Sequence, residues 1–285
     1  MTTKPKFGKG RKEQNTCQRC THKFPLSRTQ CPSCGYWNVE LAFDTSTDGT
    51  VLLSDASVLP VKRLMTGPWD PCWGHHVEDD GVRHVGVVQS SVTLLGGAPG
   101  AGKSTLALQL ADSIAGSTGK EVLYISAEEA NGQIRSRAER LKLKHTGKIR
   151  LRPIGAGGDI GDIMTHRKPV AIIADSLPKI CPDMADAVIF AERIKDYTIA
   201  LNAPAIIIDH VTKEEEFAGL QALQHAVDTT LLFTVYPDEV RELRTVKNRN
   251  GPSGIRVHFT MEEGGLQVFN LDDDDEEGED DEDDE

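Results

Sequence analysis

Gly97-Ala98-Pro99-Gly100-Ala101-Gly102-Lys103-Ser104 satisfies G-x-x-x-x-G-K-[ST] at every specified position, and Thr105 follows directly. The motif has physical meaning only between a strand and a helix. Both are predicted here: an apolar run over 92–95 precedes it, and Leu106, Leu110 and Ile114 recur behind it at helical spacing. Similar apolar runs stand at 121–125, 170–174 and 205–208, each read as a strand buried on both faces. Helical patterns separate them, carried by Ile134, Ala138 and Leu141 and by Val188, Ala191, Ile194 and Leu201. Alternation of this kind predicts an α/β fold with a mostly parallel sheet. After residue 231 the runs crowd together, at 231–235, 241–246, 255–260 and 266–269, joined by Pro/Asp and Gly/Pro/Ser turns. They predict antiparallel strands added at one edge.

The glycine-rich turn is suited to phosphate. Gly100 and Gly102 let successive backbone N–H groups and the positive end of the helix point at one anion. Lys103 would neutralise β and γ charges, and the Ser104 hydroxyl would ligate Mg²⁺. The expected nucleotide contacts are therefore Gly97, Ala98, Pro99, Gly100, Ala101, Gly102, Lys103, Ser104 and Thr105. Asp175 ends an apolar strand, where a carboxylate can hold the Mg²⁺ shell or simply cap a turn. Glu128 and Glu129 follow another strand. One of them can polarise a water beside the γ-phosphate, although acidic residues at a helix start also favour its dipole. His210, at the end of the 205–209 run, can sense the γ-phosphate or be structural.

The chain has 285 residues, 38% of them apolar, and a formal net charge of −12. Thirteen of the fourteen residues 272–285 are Asp or Glu, and without them the net charge is about +1. The acidity belongs to a segment that cannot fold upon itself. The basic start lacks a hydrophobic stretch behind it, and nothing approaches the roughly 18 apolar residues of a membrane span. A soluble, cytoplasmic protein with no membrane contact is expected. Cys17-x-x-Cys20 and Cys31-x-x-Cys34, ten residues apart, read as four thiolates around a structural Zn²⁺. Two redox pairs would need a thioredoxin-like surround, which is absent from the pattern. His22 is not expected to be a ligand, and Cys72 and Cys181 read as packing thiols. The predicted organisation is a disordered basic arm over 1–14, a zinc ribbon over 15–43, a linker over 44–58, an ATPase domain over 59–270 and a disordered acidic tail over 271–285. Lys4, Lys6, Lys9, Arg11, Lys12, Arg19, Lys23 and Arg28, with Tyr36 and Trp37, make the zinc end a candidate for nucleic-acid or protein contact.

Taken together, the four-cysteine module ending in Tyr36-Trp-Asn-Val-Glu40, the glycine loop, Val122-Leu-Tyr-Ile-Ser-Ala-Glu-Glu129, Asp175-Ser176, His210-Val-Thr-Lys213 and Lys247-Asn-Arg-Asn-Gly251 resemble the bacterial RadA/Sms DNA-repair ATPases. These sit within the RecA-like and DnaB-like group. The resemblance implies a RecA-like core that binds DNA, assembles as a hexameric ring and hydrolyses ATP between subunits as a helicase or translocase in recombination, repair or replication. By position, Glu128 resembles the general base and Asp175 the Mg²⁺-side carboxylate, while Lys247 and Arg249 resemble cations presented to a neighbour's nucleotide. A replicative DnaB-like helicase and an ATP-dependent switch or clamp that loads a partner are the alternative functions. The chain departs from the family in several places. The Lon-protease-like domain of the family is not recognised, and Asn250, Asp209 and the pair Leu220-Gln221 differ from the family pattern. The last pair falls in a predicted loop expected to face DNA. A His/Asp/Glu-rich insertion over 74–84 precedes the core. The short plan with its private acidic tail, a candidate docking segment for a replication or recombination protein, suits a phage-encoded relative acting in its host's cytoplasm.

Overall fold

The computed structural model describes residues 14–16, 22–25, 33, 63–73, 75–77, 83–154, 167–181, 183–210 and 219–269. The linker expected over 44–58, the acidic residues 271–285, the arm before Gln14 and all four paired cysteines (Cys17, Cys20, Cys31 and Cys34) lie outside them. Within the cysteine module a short antiparallel pair is described, Gln14–Thr16 against Lys23–Pro25, with Thr16 opposite Lys23. Its first strand begins one residue before the expected module boundary.

The main sheet has nine strands. In chain order they are β1 (Val92–Gly97), β2 (Val122–Ser126), β3 (Ile149–Pro153), β4 (Ala171–Asp175), β5 (Ala205–Ile208), β6 (Thr229–Val235), β7 (Arg241–Asn248), β8 (Arg256–Glu262) and β9 (Gly265–Phe269). Their order across the sheet is β9-β8-β7-β6-β1-β5-β4-β2-β3. Strands β1 to β6 run parallel, and β7, β8 and β9 add an antiparallel edge. The helices are α1 (Lys103–Thr118), α2 (Asn131–Arg140), the short α3 (Leu177–Ile180), α4 (Met184–Leu201) and α5 (Gly219–Ala226).

Strict alternation along the central strands builds two cores. Leu95, Tyr124, Ile173, Ile206 and Phe233 face α1, whose Leu106, Leu110 and Ile114 cover them. Leu94, Leu123, Ile172 and Ile207 face the other side, under Phe190, Ile194 and Tyr197 of α4. A turn of 3₁₀ helix, Gly67–Trp73, closes the first core. Trp69 stacks against Phe259 at 4.9 Å between ring centroids, and Trp73 Nε1 donates to Thr93 Oγ1 at 2.9 Å. Cys72 and Cys181 are buried within the two cores, and burial pushes the Cys181 thiol up to about 12.

The structure departs from the sequence-based expectations in three places. Strand β3 was not expected. The stretch around Leu220-Gln221 is helix α5, not a loop, because Leu223 and Val227 bury against α4 and pull the segment into a regular turn. Within the insertion over 74–84, His75–Val77 and Arg83–Val85 pair antiparallel, so its ends form a hairpin that continues into the domain.

Candidate nucleotide site

The site forms where β1, β4 and β5 end, at the carboxyl edge of the parallel strands, where α/β sheets bind ligands. The turn after β1 is shaped by its glycines. A Cβ on Gly97 would lie 2.4 Å from the Phe233 carbonyl oxygen of the neighbouring β6, so no side chain fits there. Gly100 has φ +79° and open space over its missing Cβ, a backbone conformation that favours glycine and leaves its surface accessible. Helix α1 then starts without a side-chain cap and with no acidic residue in its first turn, leaving its leading N–H groups available to an anion.

Lys103, only 4% exposed, lies back along this turn. Its Nζ donates to the carbonyls of Gly97 at 2.6 Å and Ala98 at 2.8 Å and stands 3.4 Å from His210 Nδ1. Burial lowers its pKa, while Asp175, Asp209 and Glu128 act in the opposite direction. Carbonyls and an imidazole neutralise none of its charge, so the ammonium is set to receive an anion in the turn. Asp175, also 4% exposed, accepts a 2.6 Å hydrogen bond from Tyr124 Oη and another from the Ser104 hydroxyl. Burial raises the Asp175 pKa, and the two hydroxyl donors partly offset this. One hydroxyl and one carboxylate side by side at the phosphate turn are the hard-oxygen donors that Mg²⁺ takes. The residues present therefore fit a magnesium-bound nucleoside triphosphate.

The two adjacent glutamates are separated by their partners. Glu129 is ion-paired to Arg137 of α2, an association eight residues apart that anchors the helix. Glu128 Oε1 instead accepts from Ser176 Oγ at 2.5 Å and lies 3.2 Å from His210 Nε2. Burial pushes the Glu128 carboxyl up, but the hydrogen bonds from Ser176 and His210 outweigh it and hold it below the usual range. His210 thus touches Lys103 with one ring nitrogen and Glu128 with the other. Ser176 and Tyr124 were not assigned to the site from sequence. Ser176 could have been found from its place after the strand-end Asp175, whereas Tyr124 reads as one more apolar strand residue.

Lys247 and Arg249 lie elsewhere. Lys247 pairs with Thr230, which pairs with Leu94, placing it about 10 Å down the sheet from Gly97 at three residues of strand rise. Arg249 is lower still, its N–H bonded to the Asp228 carbonyl at the level of Val92. Lys247 Nζ donates to the Val227 carbonyl at 2.8 Å, and Arg249 pairs with Asp228 Oδ1 at 3.3 Å. Asp228 also accepts from the Val92 N–H and from Lys195 Nζ. The structure therefore brings Lys103, Ser104, Glu128, Asp175 and His210 together and leaves Lys247 and Arg249 at the opposite end of the sheet.

A glycine turn between strand and helix, a Ser/Asp oxygen pair beside it and six parallel strands define a P-loop ATPase of the RecA-like class. A family model described as "AAA domain" matches residues 82–216, the stretch from the hairpin before β1 to the residues after His210. The chain is 32% identical to the DNA repair protein RadA of Treponema pallidum over 274 residues, 89% of this chain and 58% of that protein. It is 34% identical to the RadA of Chlamydia pneumoniae, covering 90% and 58%, and 32% identical to that of Aquifex aeolicus, covering 88% and 58%. The protein is thus a homologue of the RadA DNA repair proteins, spanning about 58% of the length of these relatives. No helix among the described residues is long and apolar enough to cross a membrane.

Proposed function

We propose that the protein is an ATP-dependent DNA-repair motor of the RadA type, acting on single-stranded or branched DNA and hydrolysing ATP between adjacent subunits of a ring. One observation carries this reading: Glu128 and Lys103 are linked through the two nitrogens of His210, so the base and the phosphate-binding cation report to one side chain. The backbone of residues 97–102 and the start of α1 bind the phosphates, and Lys103 turns from the carbonyls of Gly97 and Ala98 to the β and γ oxygens. Ser104 and Asp175 would hold Mg²⁺, which when bound offsets the charge on the phosphates. Glu128, ionised and aimed by Ser176, orients a water and takes its proton as the water attacks the γ phosphorus in line, while the bond from that phosphorus to the β–γ bridging oxygen breaks and ADP leaves. Loss of the γ-phosphate returns His210, the second residue after β5, to its contacts with Lys103 and Glu128, a change it passes to the residues that follow it in sequence. Lys247 and Arg249, too far from their own turn, serve the neighbouring subunit's nucleotide as cations supplied in trans.

We extend the reading to the remaining parts of the chain. The hairpin Gln14–Thr16/Lys23–Pro25 brackets Cys17 and Cys20, as one knuckle of a Cys₄ zinc ribbon over 15–43 requires. With its cationic arm, that module is a second nucleic-acid or protein contact, joined by the 44–58 linker to the ATPase domain of residues 59–270. The test is ATP turnover per subunit against protein concentration, with and without single-stranded DNA, for wild type and Arg249→Ala. The expected rate rises with assembly and with DNA and collapses in the variant. A rate independent of concentration and of the substitution would refute hydrolysis between subunits. DNA-stimulated turnover without displacement of a duplex strand would replace the motor with a clamp or switch.

A further inference from the structure

The stretch Arg140-Leu-Lys142-Leu-Lys144-His145-Thr-Gly-Lys148-Ile-Arg150-Leu-Arg152 carries six Lys or Arg and no carboxylate. It runs from the end of α2 through β3, the outermost strand of the sheet. Ile149 and Leu151 pack against the α1-side core, so the alternating Arg150 and Arg152 are turned to the opposite face of this edge strand. The nearby carboxylates are engaged. Glu121 pairs with Arg150, Asp112 accepts from the Lys144 and His145 backbone, and Glu139 pairs with Arg135. Lys142, Lys144, Lys148 and Arg152 are exposed, and among the described residues none makes a side-chain hydrogen bond or ion pair, Lys148 acting only at longer range on the Glu121 carboxylate already paired to Arg150. Arg167 and Lys168 are exposed as well.

The end of the described chain lies close by. Arg140 Nη1 donates to the Glu263 carbonyl at 2.8 Å in the turn before β9, and a Cβ on Gly265 would lie 2.7 Å from Leu141 Cδ2. The last strand thus begins against the start of the basic stretch. Phe269 is four residues on, about 13 Å of strand, and the thirteen acidic residues begin at Asp272. Fourteen extended residues reach up to roughly 45 Å, far enough to return along the whole rim.

We propose that residues 272–285 dock along the basic rim of Lys142, Lys144, Lys148 and Arg152 in the same chain, occupying as an internal polyanion a surface that would otherwise attract other polyanions. Each contact is exposed and individually weak, so the association depends on many charges acting together and is screened by salt. Tethering compensates, because a short covalent connection holds the segment at about millimolar effective concentration. The inference does not depend on the nucleotide chemistry.

Zero-length carbodiimide cross-linking of the full chain, read by mass spectrometry, tests it. At low salt the expected links join Asp or Glu of 272–285 to Lys142, Lys144 and Lys148. They should disappear at high salt and, in a mixture of ¹⁵N-labelled and unlabelled protein, occur within single chains. K142E/K144E, two exposed substitutions for which the melting temperature should stay unchanged, should lower the Lys148 link severalfold. Links only to Lys4, Lys6, Lys9, Lys12 or Lys23 would assign the tail to the zinc end and overturn the proposal, as would links only between chains or none at all.

Discussion

Glu128 is ionised because its neighbours hold it so, and that makes its chemistry sensitive to a hydroxyl that never meets substrate. Ser176 donates to the carboxylate, favouring the charged form. The folded carboxyl is depressed, so this stabilisation is present above the ordinary carboxylate range and lost as pH falls through the lowered value. Ser176→Ala should therefore move the acid limb of kcat/KM to higher pH, as a pH–rate profile would show; an unmoved limb would separate Ser176 from the base. Tyr124 offers a parallel case. Its fully buried hydroxyl fixes one oxygen of Asp175, a carboxylate that also accepts from Ser104. Loss of a partner that orients a metal-side carboxylate typically costs ten- to a hundredfold in metal affinity, so Tyr124→Phe should raise the half-saturating Mg²⁺ concentration about tenfold. Magnesium titrations of turnover and of fluorescent ADP binding would measure it. Tyr124 does not announce itself in the sequence, and Ser176 does so only through its place after the strand-end Asp175. Glu128 and Glu129 are equivalent there, and what distinguishes them is an arginine eight positions away for one and partners 48 and 82 positions away for the other.

At the level of elements, the central strands were legible because burial on both faces demands unbroken apolar runs, and β1, β2, β4 and β5 supply them. Strand β3 was not. Its Ile149-Arg-Leu-Arg-Pro153 alternates with exposed arginines, as an edge strand does, and offers only two apolar residues to the core. Helix α5 is not legible because Leu223 within it and Val227 just after it gain meaning only against α4. The joint between these layers is Asp228, which ties the start of β1, the Lys195 ammonium of α4 and Arg249 after β7. Asp228→Ala should destabilise the fold by about 2–3 kcal/mol, since it orphans a buried N–H and two cations at once. Denaturant unfolding would measure the loss, and Asp228→Asn should recover part of it by keeping the bond to Val92.

In the proposed reading the whole molecule carries half a site at each end of its sheet: the glycine turn, Ser104, Asp175 and Glu128 at the carboxyl edge of the parallel strands, and Lys247 and Arg249 beside α5 at the other. A surface that must meet a different surface on the next copy makes a head-to-tail interface, which closes into a ring or continues as a filament. This geometry gives the reading in trans a test that loss of activity alone cannot provide, because Arg249→Ala also cuts a tie to Asp228. Lys103→Ala lacks a working turn but keeps its cations, whereas Arg249→Ala keeps its turn and lacks one of them. Each alone should be nearly inactive. Mixed in equal amounts under assembling conditions, about a quarter of head-to-tail interfaces join an intact turn to an intact Arg249. ATP turnover should then recover toward a quarter of the wild-type rate, rising with total protein and abolished by dilution. If each subunit completed its own site, the mixture would stay as inactive as its parts, and the cations at the far end of the sheet would have only their structural role beside Asp228.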